Sequence, residues 1–170
     1  MRGCGKSHMG SCIADELNWP KIDMDDEIET LAGKTIPAII AEEGWDKFRD
    51  LEFIIAKKVS KLEKVIISTG GGAITFERNR EVLQKNALTV FLFATKEELL
   101  NRLKGDTSRP SLKEGKTLAE EISEVWKERG ETYFQSADIV FQARDNLAET
   151  KIENVAINGE VLVRKIKSVL

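Results

Sequence analysis

The chain begins with Gly3-Cys4-Gly5-Lys6-Ser7, the back half of the pattern G-x-x-x-x-G-K-[ST], and helical periodicity follows at Met9, Ile13 and Leu17. Backbone N–H groups at a helix N-terminus can surround phosphate oxygens, Lys6 adds a point charge, and the Ser7 hydroxyl can ligate Mg2+. A turn carrying a surface lysine is the competing reading. The pattern asks for its first glycine five positions before Gly5, one residue ahead of Met1.

A second group, Asp23-Met24-Asp25-Asp26-Glu27, closes a predicted strand, at the end where parallel sheets bind their ligands. Strand alternation sets Asp23 and Asp25 on one side, suiting a metal shell and a hydroxyl acceptor, with Asp26 and Glu27 toward solvent. A solvated acidic turn is the alternative. Helical phase supplies a third signal: Trp45, Phe48, Leu51, Ile55 and Val59 share a stripe that includes Glu52 and has Arg49 at its edge. Ile122, Val125, Trp126 and Tyr133 form another, with Arg129 inside it. Charges are rarely buried without partners or ligands, so an i,i+3 pair with Glu52 is one reading of Arg49, and a paired arginine can still present its fork to an anion. Arg129 is an anion ligand or a snorkelling side chain. Finally, Ser68-Thr69-Gly70-Gly71-Gly72 ends the strongest strand, where backbone can approach a small ligand; a flexible turn is the other reading.

The elements that must hold these groups are legible as an alternation. Runs rich in β-branched and aromatic residues at 21–24, 65–69, 88–93 and 139–142 are separated by helical patterns, which predicts an α/β fold with a parallel sheet. Thr95-Lys96-Glu97-Glu98 and Thr117-Leu118-Ala119-Glu120 both match the capping box that opens a helix. One helix is expected over 45–59, and a last one carries Leu162, Ile166, Val169 and Leu170. Residues 105–115, polar and glycine-bounded, are expected to form a mobile loop.

Composition narrows the class. The 170 residues carry 26 Lys+Arg and 29 Asp+Glu, a formal charge of −3, with 41% hydrophobic residues, 12 Gly and 3 Pro; disorder, collagen and coiled coil are excluded, and one domain over 1–170 is expected. The longest apolar stretch, 87–94, is far short of the ~20 residues of a membrane span, so no membrane partner is expected. No signal peptide pattern and no dense basic cluster are present, which makes a cytoplasmic protein without a nucleic-acid partner the expectation. Cys4 and Cys12 fit no metal or redox spacing and read as small buried thiols, and His8 reads as a helix-face residue.

Taken together, Arg2-Gly3-Cys4-Gly5-Lys6-Ser7, Ile22-Asp23-Met24-Asp25, the segment from Gly44 to Glu52, Thr69-Gly70-Gly71-Gly72-Ala73, Ser108-Arg109-Pro110 and the run from Arg129 to Tyr133 resemble shikimate kinase in order and spacing. This is a small P-loop kinase family that phosphorylates the 3-hydroxyl of shikimate in aromatic amino-acid biosynthesis. The opening residues and Gly44-Trp45 are also similar to the kinase domain of fungal pentafunctional aromatic-pathway proteins. The resemblance implies a P-loop NTPase three-layer fold with a parallel sheet in order 2-3-1-4-5, helices on both faces and a mobile lid. It implies ATP and Mg2+ as cofactors. Lys6 and the backbone N–H groups of Gly3, Cys4, Gly5, Lys6, Ser7 and His8 would hold the ATP phosphates. Ser7 and, through water, Asp23 would serve the metal. Asp25 would accept from shikimate hydroxyls and act as base, Arg49 and Arg129 would clamp the carboxylate, and Gly70, Gly71 and Gly72 would bind through the backbone. Arg109 would be the lid arginine and Arg102 the adenine-stacking one, with Lys6, Asp25 and Arg109 catalytic.

Two departures qualify the likeness. The family's first strand and first loop glycine are absent, which would leave a gap in the sheet between the strands at 65 and 88 with unmet backbone groups. Met1 is therefore expected to be an internal methionine of a longer chain, or a misplaced start. The protein is expected to be part of a longer multidomain pathway chain or, failing that, a monomer. A family arginine that contacts ATP near the C-terminus has no clear equivalent, Arg144 being out of register. The competing function is a catalytically silent shikimate-binding sensor derived from the kinase. Retention of the phosphate lysine together with a lid arginine favours the enzyme.

Overall fold

Two parallel strand pairs and the helices between them carry the structure. The computed structural model describes residues 3–103, 116–142 and 151–169, with side chains from Gly159 onward in the last segment. In chain order the elements are α1 (Lys6–Leu17), β1 (Lys21–Asp23), α2 (Met24–Ala32), α3 (Ile36–Val59), β2 (Ile66–Ser68), a 3-10 turn (Ala73–Thr75), α4 (Glu77–Leu83), β3 (Val90–Phe93), α5 (Lys96–Leu103), α6 (Leu118–Gln135), β4 (Ile139–Gln142) and α7 (Lys151–Lys167). Every expected strand is present, three of them shortened at their ends.

β1 pairs with β2 from Lys21↔Ile66 to Asp23↔Ser68, and β3 with β4 from Val90↔Ile139 to Phe93↔Gln142, both parallel. In the order 2-3-1-4-5 these are the outer couples 2-3 and 4-5, and among the described residues no ladder joins β2 to β3. One core spans both couples: Met9 and Ile13 of α1, Ile139 and Phe141 of β4, and Leu162, Val163 and Ile166 of α7 are buried together, with Ile66, Val90 and Leu92 packed against them. Val169 stands outside this core, 57% exposed, because α7 ends at Lys167.

The helix expected over 45–59 is the second half of α3, and its start is set by Gly44. That residue sits at φ 85°, ψ 172°, a non-helical conformation an L side chain resists, and it breaks the element in two. Beyond the break Phe48, Leu51, Ile55 and Val59 are buried as the stripe predicts, and Glu52 goes in with them at 1% exposure. Trp45 departs from the stripe at 49% exposure; its ring instead lies edge-on to Phe48, 5.9 Å between centroids.

Both capping boxes form. Thr95 N–H donates to Glu98 Oε2 at 2.6 Å and Glu98 N–H to Thr95 Oγ1 at 3.2 Å, while Thr117 and Glu120 exchange the same bonds at the start of α6. The roll of α6 is then fixed by packing, since Ile122, Val125 and Tyr133 share a core with Phe91, Leu99, Leu103 and Cys4. Phe91 stacks on Tyr133 with centroids 5.3 Å apart, an anchor whose truncation to alanine costs about 3–5 kcal/mol. Packing this face holds Arg129, half-buried, on the side of the glycine turn.

Candidate active site

The phosphate-loop residues adopt the backbone their glycines allow. Gly3 and Gly5 have φ of 77° and 91°, and Gly5 is the N-cap of α1 with no side-chain cap bond, so first-turn N–H groups are left to an external acceptor. Lys6 is half-buried, its Nζ 3.8 Å from Cys4 Sγ, and Ser7 and His8 are exposed. Burial pushes the Cys4 thiol up, but the Lys6 charge, the N-terminal amine and a backbone hydrogen bond together outweigh it and the net shift is downward. Cys4 is buried as expected, while Cys12 is only half-buried. The end of α5 abuts this loop: a methyl on Gly3 would lie 3.0 Å from the Leu103 side chain, and Arg102, the residue before it, is half-buried.

The acidic pair reaches the site by a different route from the one expected. β1 ends at Asp23, so strand alternation does not relate Asp23 to Asp25. Asp23 Oδ1 accepts from Asp25 N–H at 3.1 Å, capping α2, and Asp25 is a first-turn helix residue. Acidic groups there complement the helix dipole, which is why this sequence turns helical where an extended strand was expected. Because Asp23 pairs with Ser68 in the β1–β2 register, α2 and the glycine turn leave the sheet side by side. A methyl on Gly70 would stand 2.8 Å from Asp25 Oδ1. Asp26 is exposed, and Glu27 is half-buried in a 2.7 Å pair with Lys58.

Arg49 occupies the opposite side of the same turn and pairs with Glu52. Nη1 donates to Glu52 Oε1 and Oε2 at 2.9 and 3.0 Å, and a methyl on Gly72 would stand 2.9 Å from Nη2. Its guanidinium lies 5.2, 4.7 and 4.8 Å from the ring centroids of Trp45, Phe48 and Phe76. Burial raises the Glu52 carboxyl above its ordinary range; Arg49 opposes the rise and nearby Asp25 adds to it. Fully buried Asn79 donates to Glu52 Oε2 at 3.1 Å.

The middle glycine is held from α6. Tyr133 O–H donates to the Gly71 carbonyl at 2.5 Å, and the Arg129 charge lies close enough to act on the Tyr133 hydroxyl. Burial raises the Tyr133 hydroxyl, with Arg129 pulling in the other direction. Asp25, Tyr133 and Arg49 thus meet three successive residues, 70–72, with Arg129 beside Tyr133. Cys4 of the phosphate loop shares the core of Tyr133, so loop and turn are neighbours. Arg2, Arg109, Arg144 and the loop at 105–115 lie outside the described residues. Sequence reading missed Asn79, the Tyr133 contact and Phe76; a buried asparagine six residues after Ala73 leaves no periodic signal, and Tyr133 was visible only as core.

A glycine-capped helix start carrying lysine and serine, sharing a core with an arginine-flanked glycine turn in a parallel α/β frame, defines a P-loop kinase. The family profile of shikimate kinase matches residues 2–159, and the chain belongs to that family. It is 38% identical over 150 residues to a shikimate kinase of Neisseria gonorrhoeae, covering 88% of this chain and 87% of that one. A shikimate kinase of Caldicellulosiruptor bescii is 43% identical over 117 residues, 69% of this chain and 68% of the relative. Among solved structures, shikimate kinase from Bacteroides thetaiotaomicron superposes with a TM-score of 0.86 at 32% identity, over 98% of this chain and 94% of the other. Shikimate kinase from Acinetobacter baumannii in complex with shikimate does so at 0.83 and 30%, over 98% and 88%.

Proposed function

We propose that this chain transfers the γ-phosphoryl group of ATP to the 3-hydroxyl of shikimate, giving shikimate 3-phosphate and ADP on the route to chorismate. The observation that carries the reading is the convergence of Asp25, Arg49 and Arg129 with Tyr133 on the turn at 70–72. Shikimate is a ring of hydroxyls bearing one carboxylate, and this corner offers two guanidinium groups, a carboxylate and peptide N–H groups. Arg49 spends only Nη1 on Glu52, and Arg129 makes no ion pair among the described residues, so both have donors to give a carboxylate. Hydrogen bonds to charged groups contribute about 1.5–3 kcal/mol each.

Asp25 accepts from the substrate hydroxyl and takes its proton as the oxygen attacks phosphorus, a role worth about 10²–10⁴ in rate. Lys6 and the N–H groups of residues 3–8 hold the phosphates and neutralise the charge that spreads over them in the transition state. Arg102 would stack on the adenine, and Arg109 would serve the phosphates. Ser7 and Asp23 would hold Mg2+, which when bound neutralises and orients the phosphates. The donors fit: Asp23 keeps Oδ2 after Oδ1 caps α2, and the exposed Ser7 hydroxyl stands at the helix start. A set this small suits a cation ligated mainly by phosphate and water.

The test is a coupled ADP-release assay with ATP, Mg2+ and shikimate, with the product identified by phosphorus NMR. ADP should form only when shikimate is present. Calorimetric binding of shikimate without ADP release would make the protein a sensor, and no binding at all would overturn both.

A further inference from the structure

Asn79 is fully buried, yet it is a polar residue on α4, a helix of seven residues. Its Nδ2 donates to Glu52 Oε2 at 3.1 Å and to the Ala73 carbonyl at 2.9 Å. Glu52 is the carboxylate that grips Arg49 through both oxygens. Ala73 follows Gly72 directly, and its own N–H closes the glycine turn by donating to the Gly70 carbonyl at 3.2 Å. One side-chain amide therefore touches both the anchor of Arg49 and the end of the turn.

The cost of this arrangement is visible in the same side chain. Asn79 Oδ1 is buried with no hydrogen-bond partner. Flipping the amide would not relieve it, because the oxygen would then face the Glu52 carboxylate and the Ala73 carbonyl, two acceptors. A buried amide kept with one end unsatisfied, and with both donors aimed at site-forming groups, is placed for position more than for stability. α4 contributes a second element to the same end, since its N-cap Phe76 sets a ring 4.8 Å from the Arg49 guanidinium.

We infer that Asn79 is a positioning residue for the acceptor substrate: it locks the Glu52 and Arg49 pair to the glycine turn, so that the carboxylate-binding arginine and the backbone donors keep a fixed separation. The inference rests on Arg49 as a ligand of the shikimate carboxylate. It concerns shikimate alone, because the phosphate loop belongs to α1 and makes no bond to Asn79.

Asn79→Ala and Asn79→Ser are compared with the unaltered protein in the ADP-release assay, with thermal unfolding recorded beside it. Asn79→Ala should raise the KM for shikimate about tenfold, with the KM for ATP changed less than twofold and kcat less than threefold. Asn79→Ser, which keeps one donor, should recover part of the loss. In the unaltered protein, the Asn79 side-chain amide signals in 15N NMR should shift on adding shikimate and stay in place on adding ADP; this needs no variant to fold. Equal rises in both KM values, no change in either, or amide signals indifferent to shikimate would overturn the inference. An unaltered protein that does not phosphorylate or bind shikimate would remove the functional reading, and this inference with it.

Discussion

Gly72 and Arg49 stand so close that a methyl group on the glycine would lie 2.9 Å from Nη2 of the arginine, and 3.1 Å from Nη1. Arg49 has little room to retreat, since Glu52 holds Nη1 and Trp45, Phe48 and Phe76 enclose the guanidinium. Gly72→Ala should therefore displace the fork from its place beside the turn. A misplacement near 1 Å can cost about a hundredfold in efficiency, so kcat/KM for shikimate should fall by roughly that factor with KM for ATP near its original value. Steady-state kinetics with each substrate varied in turn checks this, and equal losses on both substrates would sink it.

Among the described residues of the phosphate loop Lys6 carries the positive charge, and it is half-buried beside Cys4. Removing a preorganised group that stabilises transition-state charge lowers kcat about 10²–10³-fold. Lys6→Ala should show at least that loss in ADP release while binding shikimate in calorimetry as the unaltered protein does. A variant that retains turnover would take the phosphate assignment away from this loop.

Tyr133 and Arg129 are coupled, so their variants should not behave alike. Arg129→Ala removes the cation proposed as a ligand of the shikimate carboxylate and should raise the shikimate KM about tenfold or more, from the loss of a charge-assisted bond near 1.5–3 kcal/mol. Tyr133→Phe keeps the ring stacked on Phe91 and loses the bond to the Gly71 carbonyl and its contact with Arg129. It should destabilise the fold by about 1 kcal/mol in denaturant titration, with a smaller rise in KM. Shikimate affinity unchanged in Arg129→Ala would remove the carboxylate clamp.

Much of this frame was legible before the structure. Strands at 65–69, 88–93 and 139–142 and both capping boxes announce themselves through β-branched runs and fixed spacings that local physics enforces. What escaped was decided by tertiary contact or by single bonds. Met24 suits strand or helix equally, and the cap from Asp23 to Asp25 N–H settles it in favour of α2. α4 has seven residues, too few for a periodic stripe, so neither Phe76 nor Asn79 could be placed. The i,i+3 spacing of Arg49 and Glu52 announced their pair, while the aromatic rings around the guanidinium come from three positions that spacing alone does not bring together. Strand alternation was expected to set Asp25 beside Asp23, but β1 ends at Asp23, and the β1–β2 register with the start of α2 is what brings Asp25 to the glycine turn.

Glu52 gives the site an internal pH dependence whose two consequences run in opposite directions. Burial raises its carboxyl above the ordinary value of 4.5, with Asp25 adding to the rise and Arg49 and Asn79 opposing it. The folded protein then binds this proton more tightly than the unfolded chain, so the contribution of Glu52 to stability is greatest below 4.5 and is lost as pH rises through the raised value. Pinning of Arg49 needs the ionised form, so shikimate affinity should strengthen over the same window in which this stability term declines. Glu52→Gln removes the titration. Relative to the unaltered protein, its unfolding free energy should become larger, meaning a more stable fold, as pH is taken from 4.5 upward, while its shikimate KM should be higher and flatter with pH. Denaturant titrations and shikimate kinetics on both proteins at matched pH values would measure this, and parallel pH curves for the two would show that Glu52 does not titrate in that window.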